Sequence, residues 1–427
     1  MIRRIVHSAL FRNVGKLLSA NVLAQVIGIL VYPVLTRIYR PEDFALFNLF
    51  VSIAGVLTLI ATAEYHYAIV LPKSEQHAKA LTHVCLLLLT TLTVLSCFTI
   101  CLSRPIAALF KAPQLAQYWW MMPVLVFSMG LWNILNYWYI RRGDYVRISG
   151  YQVSQSVFSA GGKVCLGLSG MLQSGMLVAA VAAPLLSVVI SGALAWRKHL
   201  SVLLKPNMSD MRHVAREYIN FPKYNLPRSL VNSLGVALPV WLLTPHFGLS
   251  ELGQLSLAMT ASYMPLSIIA RTCYQVLYQR VSEQVRAGQP VGSLLWKFSL
   301  LMLMALVVIL VPVYMFVPQL VTWFFGAEWL EAAEVIRALY PFIVLTPVCG
   351  SICFLSDVFA KQKTALWMEG GYVVAIAIAL VVGIHLEDFL LSVSLFAWVR
   401  FAYLTIQLVW YTGLVRSYQS SLSVHNS

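Results

Sequence analysis

The chain has little charge: Asp, Glu, Lys and Arg make up 11% of its 427 residues, and only 16 positions are acidic. Soluble domains carry roughly 25% charge, so a dispersed cytosolic fold is excluded. It also lacks any C-x-x-C pair. All seven cysteines lie in apolar segments, and although Cys97 with Cys101 and Cys349 with Cys353 are one helical turn apart, no histidine accompanies them. They read as small buried packing residues and offer no metal site. A phosphate-cradling glycine loop, a Ser/His/Asp grouping and a paired-carboxylate arrangement are also missing, so neither an enzyme nor a cofactor is expected.

Long uncharged runs are what the sequence has instead, at residues 81–103 and 298–323 and again along the rest of the chain. Each suffices to cross about 30 Å of hydrocarbon as a helix of roughly 20 residues, so the expected class is an all-α polytopic membrane protein. Windows of that length give about twelve helices. They lie near 14–36, 44–71, 81–102, 117–140, 149–170, 176–196, 225–246, 252–275, 294–317, 335–357, 365–386 and 389–412. Residues 1–16 are basic ahead of an apolar segment, as in a leader, but that segment is longer than a signal core and is read as the first helix. The stretch alternates Ile2, Ile5, Val6, Ala9 and Leu10 with Arg3, Arg4, His7 and Arg12, which suits a helix lying on an anionic leaflet.

A formal net charge of +14 could suggest nucleic acid. Its distribution argues against that partner, because the bases concentrate in alternate loops. Arg141, Arg142 and Arg147, Arg197 to Lys223, Arg280 and Arg286, Lys361 and Lys363, and Arg416 fall on one side, while Glu42, Asp43, Glu251, Glu328, Glu331, Glu334, Glu387 and Asp388 fall on the other. The basic side, with both termini, is assigned to the cytoplasm. Trp119, Trp120, Tyr137 to Tyr139, Trp196, Trp323, Trp410 and Tyr411 near span ends read as interfacial belts, with a sugar-stacking site as the alternative.

The chain contains an internal echo. Pro33 and then Asp43-Phe44-Ala45-Leu46-Phe47-Asn48-Leu49 correspond to Pro239 and then Glu251-Leu252-Gly253-Gln254-Leu255-Ser256-Leu257. The repeat implies two pseudo-symmetric six-helix lobes, residues 1–196 and 225–412, joined by a basic cytoplasmic linker at 197–224 and followed by a tail at 413–427. Such a repeat places a substrate cleft between lobes that rock. Pro33, Pro123, Pro184, Pro239, Pro265, Pro312 and Pro347 fall within the windows and would bend their helices.

Charge at depth is the sharper signal. Lys163 and Arg400 fall near the middle of the fifth and twelfth windows, where an unpaired cation costs about 3 kcal/mol. Two central cations point to a wet cavity and an anionic substrate. Glu64 and Arg271 lie toward the cytoplasmic ends of the second and eighth windows, at near-equivalent positions of the repeat, and are read as a gate pair, with a static pair or snorkelling as the alternative.

Several segments together resemble the bacterial Wzx-type polysaccharide flippases of the multidrug/oligosaccharidyl-lipid/polysaccharide (MOP) exporter superfamily. They are Thr36-Arg37-Ile38-Tyr39-Arg40-Pro41-Glu42-Asp43-Phe44, Tyr65-His66-Tyr67-Ala68-Ile69-Val70-Leu71-Pro72, Phe221-Pro222-Lys223-Tyr224-Asn225-Leu226-Pro227, Pro265-Leu266-Ser267 and Gln279-Arg280-Val281-Ser282-Glu283. The resemblance implies an inner-membrane carrier that moves an undecaprenyl-pyrophosphate-linked sugar repeat unit to the periplasmic leaflet, by alternating access, for O-antigen, capsule or exopolysaccharide assembly. It also implies membrane lipids, a polysaccharide polymerase and a chain-length regulator as partners, and leaves proton or sodium coupling open. Lys163 and Arg400 are the candidates for a cationic cleft, with Arg37 and Arg228 as weaker ones. Glu64-Tyr65-His66 departs from the Arg-Tyr-Glu of many relatives, and no role is carried over there. A drug or toxin antiporter of the same superfamily and a membrane glycosyltransferase or polymerase are the rival readings.

The charge alternation makes a direct prediction. Cysteines introduced near residues 113 and 329 should react with an impermeant thiol reagent on intact cells, and one near 205 should not. The opposite labelling pattern would reverse the orientation.

Overall fold

The computed structural model describes residues 9–195 and 207–425. Residues 1–8 of the amphipathic N-terminal stretch, Trp196, linker residues 197–206 and the last two residues of the tail lie outside the described residues. Among those described, every regular element is helical. The first contact unit, Met1–Leu249, holds α1 (Ala9–Ile38), α2 (Pro41–Thr62), α3 (Glu75–Phe98), α4 (Met122–Arg142), α5 (Tyr145–Leu168), α6 (Leu172–Ala195), the short amphipathic α7 (Met208–Glu217) and α8 (Leu226–Phe247). The second unit, Ser250–Ser427, holds α9 (Leu249–Arg286), α10 (Gly292–Met315), α11 (Glu331–Ile343), α12 (Leu345–Ile352), α13 (Gln362–His385) and α14 (Phe389–His425). Nine helices of the described residues are long and apolar enough to cross a membrane, or ten if the pair Glu331–Ile343 and Leu345–Val358, bent by 41°, is one span. Counting α1, with its apolar segment Val22–Ile38, and α5, long enough at 24 residues but more polar, is compatible with the twelve crossings expected.

Local chemistry sets the helix ends. Pro41 opens α2, and the Asp43 carboxylate accepts from the Arg40 amide at 3.1 Å, placing negative charge at the positive end of the helix dipole. Ala63 and Glu64 then adopt left-handed φ values of 44° and 61°, which end α2 and turn the chain into a 3-10 helix at Tyr65–Val70. The window at 44–71 is therefore a span followed by a separate turn. Arg141 clamps that turn by donating to the carbonyls of Ile69, Val70 and Pro72 at 3.3, 3.4 and 2.7 Å, and Arg142 pairs with Glu75 at the start of α3. Basic residues of the loops are here fasteners of the fold.

Three expectations need correction. Cys85 and Cys349 are buried, but Cys97, Cys101, Cys165 and Cys353 are exposed, so most of the cysteines are not buried packing residues. Pro123 lies in the first turn of α4, where its missing N–H costs nothing, and bends no helix. Trp119, Trp138, Tyr139 and Tyr411 are buried packing residues and not interfacial belts, whereas Trp120 and Trp323 remain exposed. Trp138, Tyr139, Phe50, Leu49 and Leu81 form much of the core of the first unit. In the second unit Phe354, Val281, Leu277 and Tyr411 cluster likewise. Grouped by contacts, α8 belongs with the first unit: Trp241 donates from Nε1 to Ser52 Oγ on α2 at 2.8 Å.

Small residues position α5. The Tyr39 hydroxyl, just past the end of α1, donates to the carbonyl of Lys163 at 2.6 Å. It fits there because Gly167 and Gly175 leave room: a Cβ on Gly175 would stand 2.4 Å from that hydroxyl oxygen, and one on Gly167 would stand 2.5 Å from Ile38 Cγ2. Tyr39 is 1% exposed and has no direction in which to yield. Gly175→Ala should therefore destabilise the protein by about 2 kcal/mol in a thermal melt, and Tyr39→Phe in the same chain should recover part of that loss. An unchanged melting temperature in Gly175→Ala would show that the contact is slack.

Candidate functional site

Each unit carries one of the deep cations. Lys163 lies on α5, and its Nζ sits 4.1 Å from the centroid of the Phe47 ring on α2. No carboxylate pairs with it and no hydrogen bond reaches its ammonium among the described residues. An aromatic face stabilises such a cation by about 2 kcal/mol when desolvated, less than a full ion pair, so the charge stays available.

Arg400 on α14 is held more firmly. Its Nη1 donates to the Tyr372 hydroxyl on α13 at 2.6 Å, and its guanidinium carbon lies 5.7, 5.4 and 5.6 Å from the rings of Tyr263, Phe342 and Tyr372. Tyr403, one turn along α14, stacks on Tyr372 at 4.3 Å. Four elements, α9, α11, α13 and α14, thus build an aromatic box around one guanidinium. The box orients the planar fork and supplies no negative charge, and the Arg400 Nε is buried without a partner.

The remaining sequence candidates fall elsewhere. Glu64 is 1% exposed, and its carboxylate meets the Ser229 side chain on α8, a partner absent from the sequence reading. Its Oε1 is buried without a hydrogen bond. Close by, His66 Nδ1 and Thr62 Oγ1 are 2.9 Å apart, with the imidazole packed on Tyr67 and Tyr137. Arg271 is exposed on α9 of the second unit, Arg37 is exposed near the end of α1, and Arg228 is half-buried in the first turn of α8. No group of three or more His, Cys, Asp or Glu that could hold a metal ion occurs among the described residues.

Sequence reasoning missed the company Lys163 keeps. Gln152, Gln155, Ser159 and Lys163 follow spacings of three, four and four and so share one face of α5. The first three, with Asn133, Trp132 and Tyr151, line a cavity of about 340 Å³ inside the first unit, and Phe47, beneath Lys163, lines it too. The signal was in the sequence: α5 is 24 residues long yet too polar to count among the clearly apolar spans.

Comparison with known proteins agrees with this architecture. A family model described as polysaccharide biosynthesis protein matches residues 34–334, and the chain belongs to that family. Among solved structures, it resembles the lipid II flippase MurJ in an inward closed conformation, with a TM-score of 0.68 and 11% identity over 97% of this chain and 92% of that one. It also resembles an inward-facing multidrug resistance MATE family transporter of the MOP superfamily, with a TM-score of 0.61 and 16% identity over 97% and 99%. A MOP superfamily transporter from Pyrococcus furiosus, described as having a binding pocket of reverse polarity, gives 0.58 and 15% over 97% and 98%. The fold is that of the MOP transporters. Among curated proteins, no sequence matches.

The box around Arg400 predicts its own weak point. Tyr372→Phe keeps the ring and removes the acceptor, leaving a guanidinium N–H unpaired, and should destabilise the protein by about 2 kcal/mol in a thermal melt. Tyr372→Leu, which also removes the ring face, should cost more. Equal melting temperatures for wild type and Tyr372→Phe would mean that the bond contributes nothing.

Proposed function

We propose that this protein is a flippase, not an enzyme, of the bacterial inner membrane that carries an undecaprenyl-pyrophosphate-linked oligosaccharide repeat unit from the cytoplasmic to the periplasmic leaflet. The product would feed O-antigen, capsule or exopolysaccharide assembly, where a polymerase and a chain-length regulator act. The observation that carries the reading is the pair of membrane-depth cations, Lys163 and Arg400, each seated on aromatic rings and neither neutralised by a carboxylate. A scaffold has no use for two such costly charges, and an exporter of cationic drugs would call for deep carboxylates in their place.

The chemistry suits a pyrophosphate. Its charges must leave water and pass a region that rejects ions, while the polyprenyl tail can stay in lipid throughout. Lys163 offers a mobile point charge, and Arg400 a planar fork suited to two phosphate oxygens. By alternating access through a cationic cleft, with proton or sodium coupling or exchange of substrate as the driving step, such contacts lower the barrier if they form mainly during translocation. Membership of the polysaccharide biosynthesis protein family supports the same reading.

Removing one charge contact of about 2 kcal/mol would slow transfer roughly thirtyfold. Lys163→Ala and Arg400→Ala should therefore each cut surface glycan sharply relative to the amount of protein in the membrane, with lipid-linked repeat units accumulating inside the cell. Lys163→Arg should retain part of the activity. Normal surface glycan in both alanine variants would overturn the cationic route.

A further inference from the structure

The cavity of about 340 Å³ in the first unit lies within the roughly 300–1,000 Å³ range of small-molecule sites. Its lining has an unusual make-up for a membrane interior. α4 contributes Asn133 and Trp132, and α5 contributes Tyr151, Gln152, Gln155 and Ser159. Asn133, Gln152, Gln155 and Ser159 make no side-chain hydrogen bond to the protein among the described residues, and the Gln152 Oε1 is buried. Inside a membrane protein such groups call for a partner, so four that face one cavity point to an occupant that hydrogen-bonds.

The kind of occupant follows from the donor set. Side-chain amides and hydroxyls offer donors and acceptors together, which matches vicinal hydroxyl groups that also give and receive. Trp132 and Tyr151 lie parallel, with centroids 3.3 Å apart and planes 6° apart, and bring flat apolar surface to the same wall, the counterpart of the C–H face of a sugar ring. A metal ion is poorly served, since no carboxylate, histidine or cysteine lines the cavity. A phosphate is served no better, for no cation lines it. Lys163 lies eleven residues beyond Gln152 on the same face of α5, about 16 Å along the axis. One ring cannot meet both ends of this face, but one extended chain can.

We propose that the cavity between α2, α4, α5 and α6 is a subsite for an uncharged sugar ring, in which Gln152, Gln155, Asn133 and Ser159 hydrogen-bond its hydroxyl or amide groups beside the Trp132–Tyr151 pair. The inference rests on the flippase reading above and adds to it a division of labour along one helix. The amide end of α5 selects the glycan, and its ammonium end receives the anion. Exchange of the amide-bearing residues would then change which glycan is accepted without altering the response to the pyrophosphate.

The test uses the full-length protein in lipid nanodiscs and two probes by calorimetry: the neutral oligosaccharide released by mild acid from the host's own lipid-linked intermediates, and inorganic pyrophosphate. Wild type should bind both. The double variant Gln152→Leu with Gln155→Leu should bind the oligosaccharide about thirtyfold more weakly and pyrophosphate unchanged. Ser159→Leu, which fills the cavity, should do the same, and retained pyrophosphate binding reports that each variant is folded. If a variant misfolds, the milder Gln152→Asn should still weaken the oligosaccharide selectively. Absence of oligosaccharide binding in wild type, oligosaccharide binding indifferent to all three changes, or stabilisation of the cavity by sodium ions in place of sugar would each overturn the subsite. Failure of the flippase reading looks different: there, Lys163→Ala leaves pyrophosphate binding intact whatever the amides do.

Discussion

Inside a bilayer a polar group that finds no partner within its own protein has no water to turn to, and this constraint sorts the residues of the chain. Most polar groups at depth comply. Thr58, Thr82 and Ser128 bond back to their own helices, and Tyr39 finds the carbonyl of Lys163. The Arg141 guanidinium closes onto three carbonyls, and Arg337 pairs with Glu334 at 2.9 Å. The few that do not comply are therefore informative. Among the described residues they include the amide oxygen of Gln152 on α5, the Nε of Arg400 and the second carboxylate oxygen of Glu64, beside scattered groups such as those of Thr93, Asn136 and Trp138.

The surroundings of each residue separate function from packing more clearly than composition does. Cys85, Cys349 and the buried tryptophans are explained by shape, because each fits where a small or bulky residue fills space. Lys163 and Arg400 are not explained by shape. Each rests on aromatic rings that tolerate a cation and cannot neutralise it, an arrangement suited to an anion that arrives and must leave again. An ion pair with a resident carboxylate would stabilise the fold and close the site.

Much of this was legible in the sequence, since hydrophobic length, loop charge and depth within a span follow from one-dimensional pattern. Arg400 stood out because it interrupts an otherwise apolar run, and Lys163 because it is the one Asp, Glu, Lys or Arg between Arg147 and Arg197. Other features depend on three dimensions. The left-handed pair Ala63–Glu64 that ends α2, the Ser229 partner of Glu64 and the burial of Trp138 and Tyr139 need the chain folded before they can be seen. The Gln152, Gln155 and Ser159 stripe is an intermediate case. Its helical spacing is present in the sequence, but only the folded chain shows that these side chains face one cavity. Uncharged amides stand out little in a hydropathy profile, yet in hydrocarbon they still require hydrogen-bond partners.

The central claim is that the deep cations act on the negative charge of the cargo. The most direct measurement is the rate at which the protein, reconstituted in liposomes, moves a fluorescent polyprenyl-pyrophosphate oligosaccharide between leaflets, compared with an uncharged polyprenyl glycoside bearing the same sugars. The account predicts that Lys163→Gln and Arg400→Gln slow the charged lipid by about an order of magnitude or more and leave the uncharged one nearly unaffected. Equal slowing of both lipids, or of neither, would contradict it.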